Sequence, residues 1–278
     1  MELGYTVWTW LSDEHRDWCR VEDPKAAFEQ ACREVSHLGY KTIENFNWFA
    51  DFYEDNPQEV LDIMNRYGLK FVNIYHYLTP DFEADVENGK RYAKFGKAVG
   101  AKYMNLQMQT WKDKPYNRPL NKEKVEDYAR KANIIGQIAK DQGLTVCVHP
   151  HANTPVFTMD QIDYFLENTD PKLVSLCIDT AHIALSGGDP VEAFNKYIDR
   201  IAYVHLKDID PDVTLNPEWP MKRFRALGQG NIDFKGVFNV LKEHNFDGVV
   251  CVELDYQKVC HYESAQYSRN YLKDVIGI

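Results

Sequence analysis

Four apolar runs in the second half of the chain each end in residues that bind metal ions or move protons. They are TVCVHPH with His149 and His151, LVSLCIDTAH with Asp179 and His182, AYVHLKD with His205 and Asp208, and GVVCVEL with Glu253. Each run is short, rich in Val, Ile, Leu or Cys, and carries its polar residues near the C-terminal end, as a buried parallel strand would. His149, Asp179, His205 and Glu253 together offer two imidazoles and two carboxylates. That mixed nitrogen and oxygen set suits Mn2+, Co2+, Fe2+ or Zn2+ better than Ca2+, which prefers oxygen alone. A lone strand histidine is usually a satisfied structural residue. Four such groups at equivalent ends of four consecutive strands point instead to one shared ion.

Bringing those ends to one point requires neighbouring parallel strands. Apolar strand-like runs alternate with helix-periodic segments eight times along the chain. The first helix opens at Asp23-Pro24 and closes at Gly39; the second runs through PQEVLDIMNRYG, again from Pro to Gly. Further helices are expected near 81–99, 122–142, 158–168, 189–197, 233–243 and 263–275. Eight such units predict a (β/α)8 TIM barrel, one domain over residues 1–278, with its polar strand ends at the mouth where such barrels do their chemistry. An open doubly wound sheet is the main rival, but no GxGxxG or GxxxxGK[ST] fingerprint follows any strand. Two long segments after strands, WKDKPYNRPLN and DIDPDVTLNPEWPMKRFRALGQG, read as functional loops.

Residues two apart on a strand share a face. Cys147, Cys177, Tyr203 and Cys251 therefore lie directly beneath His149, Asp179, His205 and Glu253, as small core fillers or as additional ligands. The mouth ends of the first four strands are aromatic: Trp8 and Trp10, Phe46 and Trp48, Tyr75 and Tyr77, and Trp111. Such a rim would stack against a sugar ring or an aromatic aglycone, or pack under the loops as core.

With 32 Lys plus Arg against 42 Asp plus Glu, the net charge of -10 argues against nucleic acid and anionic membrane partners. The start MELGYTVWTWL lacks a secretory pattern, no run has the length of a membrane span, and the six cysteines form no CxxC pair. A soluble cytoplasmic protein with free thiols is expected.

CIDTAHI with GGDP, DRIAYVHLKD, LGQGNIDFKGV and GVVCVEL resemble the xylose-isomerase-like TIM-barrel superfamily of sugar isomerases, epimerases and dehydratases. The likeness is specific over about residues 145–255 and architectural before that. VHPHANTPV is similar to the inosose dehydratase branch, which has a His-rich strand at this place. The resemblance implies that His149 (in place of the usual Glu), Asp179, His205 and Glu253 hold a divalent metal, Mn2+ first, with Co2+, Mg2+, Fe2+ or Zn2+ as alternatives. It also implies that His182 contacts substrate and that the protein is a homo-oligomer. Ketose 3-epimerases of the superfamily use two metal-bound glutamates, and this chain retains only Glu253. One-sided proton removal and elimination from a keto-sugar or keto-cyclitol fits that departure better than epimerisation. A sugar isomerase or ketose 3-epimerase, and a lyase that cleaves 3-oxo-glycosides, are the close alternatives.

The other candidates follow from position. His151 shares the face of His149, nearer solvent, and with Glu253 is a candidate base. Lys207 either supports a developing enolate or pairs with Asp208 at the surface. Glu44, ending the second strand, and Arg225, in the second long segment, are candidates to bind substrate hydroxyl or anionic groups, together with Trp10, Trp48 and Trp111.

Overall fold

Eight parallel strands close into a barrel in the computed structural model, which describes residues 1–12, 21–110, 116–215, 217–255 and 260–278. The barrel strands are β1 (Glu2–Thr6), β2 (Thr42–Asn45), β3 (Lys70–Leu78), β4 (Tyr103–Met108), β5 (Thr145–Val148), β6 (Val174–Asp179), β7 (Ile201–Leu206) and β10 (Val249–Val252). Their order around the barrel is β1-β10-β7-β6-β5-β4-β3-β2, so every strand neighbours the one next in the barrel series. Helices α1 (Pro24–His37), α3 (Pro57–Tyr67), α4 (Phe82–Ala98), α5 (Lys122–Asp141), α6 (Met159–Glu167), α8 (Pro190–Tyr197), α9 (Phe234–Glu243) and α10 (His261–Tyr271) connect them. The short helix α2 (Ala50–Tyr53) precedes α3. Among the described residues no helix is long and apolar enough to cross a membrane.

Local chemistry places the helix starts. Asp23, Asp81, Asn121, Asp189 and Asp233 each accept a backbone N–H three residues on, and Thr158 forms a capping box with Gln161. The helices pack on the strands through one large core, whereas Val72, Cys147, Cys177, Tyr203, Val249 and Cys251 fill the barrel interior as a separate cluster. The three cysteines thus form the layer beneath the mouth, fully buried and free of disulfides.

Two departures from the sequence expectation matter for the site. The segment after β6 holds a further helix, α7 (Thr180–Leu185), ahead of α8. After β7 the chain forms a two-stranded antiparallel sheet, β8 (Asp208–Ile209) with β9 (Phe224–Arg225), that starts and ends the insertion.

One buried histidine outside the mouth gives the fold a pH dependence. His76 on β3 donates from Nε2 to the Asp85 carbonyl at 2.9 Å, and burial lowers its pKa from 6.5 to about 4. The folded state refuses a proton that the unfolded chain accepts below pH 6.5. Stability is therefore complete above 6.5 and falls as the pH drops towards 4, by about 3 kcal/mol from this group. His76→Gln is expected to flatten that acid slope by close to one proton in urea titrations at pH 4.5 to 7. An unchanged slope would contradict the assignment.

Candidate metal centre at the barrel mouth

His149, Asp179, His205 and Glu253 are all buried, and one ligand atom from each lies within 4.8 Å of every other. Asp179 is oriented by the start of α7: its Oδ1 accepts the amides of Ala181 at 2.8 Å and His182 at 3.0 Å, leaving Oδ2 for other partners. His149 Nε2 stands 4.0 Å from that Oδ2, and His205 Nδ1 stands 2.8 Å from Glu253 Oε2. Asp179 Oδ2 and Glu253 Oε2 are buried and held by charge, both by Lys207 (3.2 and 2.9 Å) and Glu253 also by His205, without an aligned hydrogen bond. Two imidazoles and two carboxylates converging in a buried chamber fit a divalent cation by count, donor type and burial.

Lys207 occupies the same chamber. Its ammonium lies 2.7 Å from Asp255, 2.9 Å from Glu253 and 3.2 Å from Asp179, with the side chain almost wholly buried. The alternative of a surface lysine paired with Asp208 does not describe it. Burial disfavours the Lys207 charge, but Asp179, Asp255 and Glu253 overcome this and raise its pKa well above the usual value. Burial likewise resists ionisation of Glu253, and His205 and Lys207 outweigh it, holding the carboxyl well below the usual range. Asp255 was not among the expected residues. Its place two residues beyond Glu253, on the same face of an extended chain, was the available signal.

His151 reaches the chamber and His182 lies behind it, their ring centres 3.9 Å apart. His151 Nδ1 donates to the Ala152 carbonyl at 2.7 Å, which leaves Nε2 as the basic nitrogen. Burial, then the Lys207 charge, lowers the His151 pKa to about 4, so the ring is neutral at pH 7. His182 accepts the Ala152 amide at Nδ1 (3.3 Å), is buried, and does not line the cavity.

The cavity above these groups encloses about 720 Å³. Trp8, Phe46, Trp48, Tyr75 and Tyr77 form one wall, His149, His151, Glu253 and Asp255 another, and Gln107, Gln109 and Thr110 add hydrogen-bonding groups. Trp219 and Met221 of the insertion complete it. Neither was anticipated, because nothing local to their sequence shows that the insertion folds back over the mouth. Trp10 is placed elsewhere: its indole donates to Glu34 at 2.7 Å and packs against Tyr5 and His261 in the outer core. Arg225 also turns away from the cavity, bound to Asp210 at 3.1 Å and to the carbonyls of Lys222 and Phe224 at 2.8 Å. Glu44 sits below the cavity floor, fully buried, and Trp111 lies outside the described residues.

Asp208 anchors the insertion. Its carboxylate accepts the amides of Ile209, Gly228, Gly230 and Ile232 at 2.8 to 3.1 Å. A Cβ on Gly230 would stand 2.3 Å from Asp208 Oδ1, so only glycine lets that amide approach. Asp208→Ala would orphan four buried or half-buried donors and is expected to lower unfolding free energy by roughly 3–6 kcal/mol. Chemical denaturation measures this, and a loss under 1 kcal/mol would show that the loop holds without its anchor.

A parallel barrel with a mixed His and carboxylate cluster at its C-terminal mouth defines a class of (β/α)8 proteins with a candidate metal site at the active-site end. Within that class the chain belongs to the xylose isomerase-like TIM barrel family, whose profile matches residues 32–275. It is 30% identical to an inosose dehydratase of Mesomycoplasma hyopneumoniae strain J across 90% of this chain and 89% of that one. Identity to an inosose dehydratase of Clostridium beijerinckii is 27% across 100% and 98%. A Clostridium tetani inosose dehydratase is 38% identical over a match spanning 57% of each chain. Two solved structures share the fold at low identity. One is the IOLI protein with a bound zinc atom (TM-score 0.76, 18% identity, 99% of this chain and 98% of that one). The other is a probable 3-DHS dehydratase of Bacillus anthracis (TM-score 0.77, 16% identity, 98% and 99%).

Proposed function

We propose that this chain is a metal-dependent carbon-oxygen lyase that dehydrates a keto-cyclitol or keto-sugar, with an inosose as the first candidate. The observation that carries the reading is the His149, Asp179, His205 and Glu253 cluster opening on a cavity shared with His151 and Asp255. The relatives named inosose dehydratase, matched over nearly the whole chain, support the substrate class. His149, Asp179, His205 and Glu253 would hold a divalent cation, Mn2+ on this reading, which when bound would supply the Lewis acidity that makes a C–H beside a ketone acidic.

The chain's own groups do the rest. The Glu253 carboxylate and the free Nε2 of His151 both face the cavity, and one of them takes the α-proton. Lys207 does not line the cavity; its ammonium, 2.9 Å from Glu253, acts through that carboxylate by holding it ionised before substrate arrives. The electron pair left at the α-carbon forms the double bond as the β-hydroxyl departs, and that hydroxyl leaves as water after taking a proton. Trp8, Trp48 and the tyrosines hold the ring and exclude bulk water.

The test is turnover of 2-keto-inositol before and after removal of metal by chelator. Activity is expected to fall by at least about 10³-fold and to return with Mn2+. Unchanged activity in the stripped protein would sink the reading. A second reading, cleavage of a 3-oxo-glycoside by the same proton removal, is favoured by the aromatic wall and the volume of the cavity. Release of an aromatic aglycone from such a glycoside, without turnover of the inosose, would select it.

A further inference from the structure

We propose that Glu44 is a positioning residue, fixing the ring and tautomer of His205 from beneath the cavity rather than touching substrate. This rests on the metal reading above.

Three observations converge. Glu44 is fully buried and does not line the cavity, so the hydroxyl-binding role expected from its strand-end position has no substrate within reach. Its Oε1 stands 2.9 Å from His205 Nε2, a buried charge contact not aligned as a hydrogen bond, on the opposite side of the ring from Nδ1, which stands 2.8 Å from Glu253 Oε2. And the carboxylate is itself held: Asn73 donates from Nδ2 to Glu44 Oε2 at 2.9 Å, while Asn73 Oδ1 accepts the Asn105 amide at 2.8 Å. Glu44 and Asn73 are register partners on β2 and β3 immediately after a break in the ladder at Ile43 and Glu44, the kind of irregularity that re-aims a side chain.

An imidazole that binds a cation through one nitrogen must carry its proton on the other. A carboxylate at that second nitrogen holds the proton there, fixes the ring plane and makes the ligating nitrogen more basic. Glu44 is in that place for His205. Cys177 and Cys251 also approach the ring, but a thiol is a weak acceptor and an ionised carboxylate forms the stronger bond.

The experiment is titration of metal-stripped protein with Mn2+ and with Co2+, followed by competition with a chelator and by the visible spectrum of the Co2+ form. Glu44→Gln keeps the shape and removes the charge. Its affinity for either ion is expected to fall about 10–100-fold, with an altered Co2+ spectrum. Asn73→Ala, which leaves the carboxylate but frees it, is expected to fall less, and it carries the test if Glu44→Gln fails to fold. A purely structural Glu44 would change the melting temperature of the stripped protein and leave both dissociation constants unmoved. That result overturns the assignment alone. A wild-type chain that binds neither ion overturns the metal reading, and this assignment with it.

Discussion

Glu253→Gln is expected to reduce turnover of the keto-cyclitol by at least about 10³-fold while the barrel stays folded. The carboxylate is almost fully buried between His205 Nδ1 at 2.8 Å and Lys207 Nζ at 2.9 Å, which hold it ionised against its burial. Glutamine has the same outline but carries no charge. It would be a poorer cation ligand and cannot accept a proton, and loss of a general base alone is worth about 10²–10⁴-fold. The fold should survive because Lys207 keeps Asp179 and Asp255, so no charge is left without a partner. Steady-state rates, metal content and circular dichroism of the variant check the three parts of this expectation. A folded, metal-replete variant within tenfold of wild type would remove Glu253 from the chemistry.

Lys207→Met should act on stability and rate together. Methionine fills the space of the stem and removes the ammonium that stands among three carboxylates. In the metal-free protein Asp179, Glu253 and Asp255 would then face one another with nothing between them. Breaking a buried ionic group this way costs about 3–5 kcal/mol. For a chain of this size that is a drop of roughly 10 °C in melting temperature. The rate should fall about 10²–10³-fold because Glu253, a candidate base, loses a charge that holds it ionised. A divalent ion would neutralise part of the same charge, so it should restore more melting temperature to Lys207→Met than to wild type. Equal shifts in the two proteins would mean that Lys207 and the ion do not share this chamber.

The retained glutamate also bears on the rival chemistry. An epimerase needs acid-base groups on both faces of the reacting carbon. On the proposed reading His149 stands where that scheme has its second metal-bound glutamate, and burial lowers the pKa of its ring well below the usual value. Deuterium from solvent at the α-carbon of a recovered, rearranged sugar would favour the isomerase or epimerase, whereas formation of an unsaturated ketone favours elimination.

The strand periodicity, the Pro and Gly punctuation of the helices and the eightfold alternation made the barrel legible in one dimension. The same pattern showed that His149, Asp179, His205 and Glu253 occur at equivalent strand ends, and that cysteines lie below them. These features are local: a period of two and a turn signal are properties of neighbouring residues. Which residues meet across the barrel is not local. Register pairs His205 with Cys251, yet Glu253 is the residue that joins it in the cluster, because tilted strands in a closed barrel shift the level from one strand to the next. Only the closed barrel turned Lys207 inward among acids, drew Asp255 into the chamber, set Glu44 behind His205 and withdrew Trp10 and Arg225. Apart from Arg225, whose partners lie within its own insertion, those outcomes depend on residues tens or hundreds of positions away, and a side chain's charge and contacts are decided by what surrounds it in space.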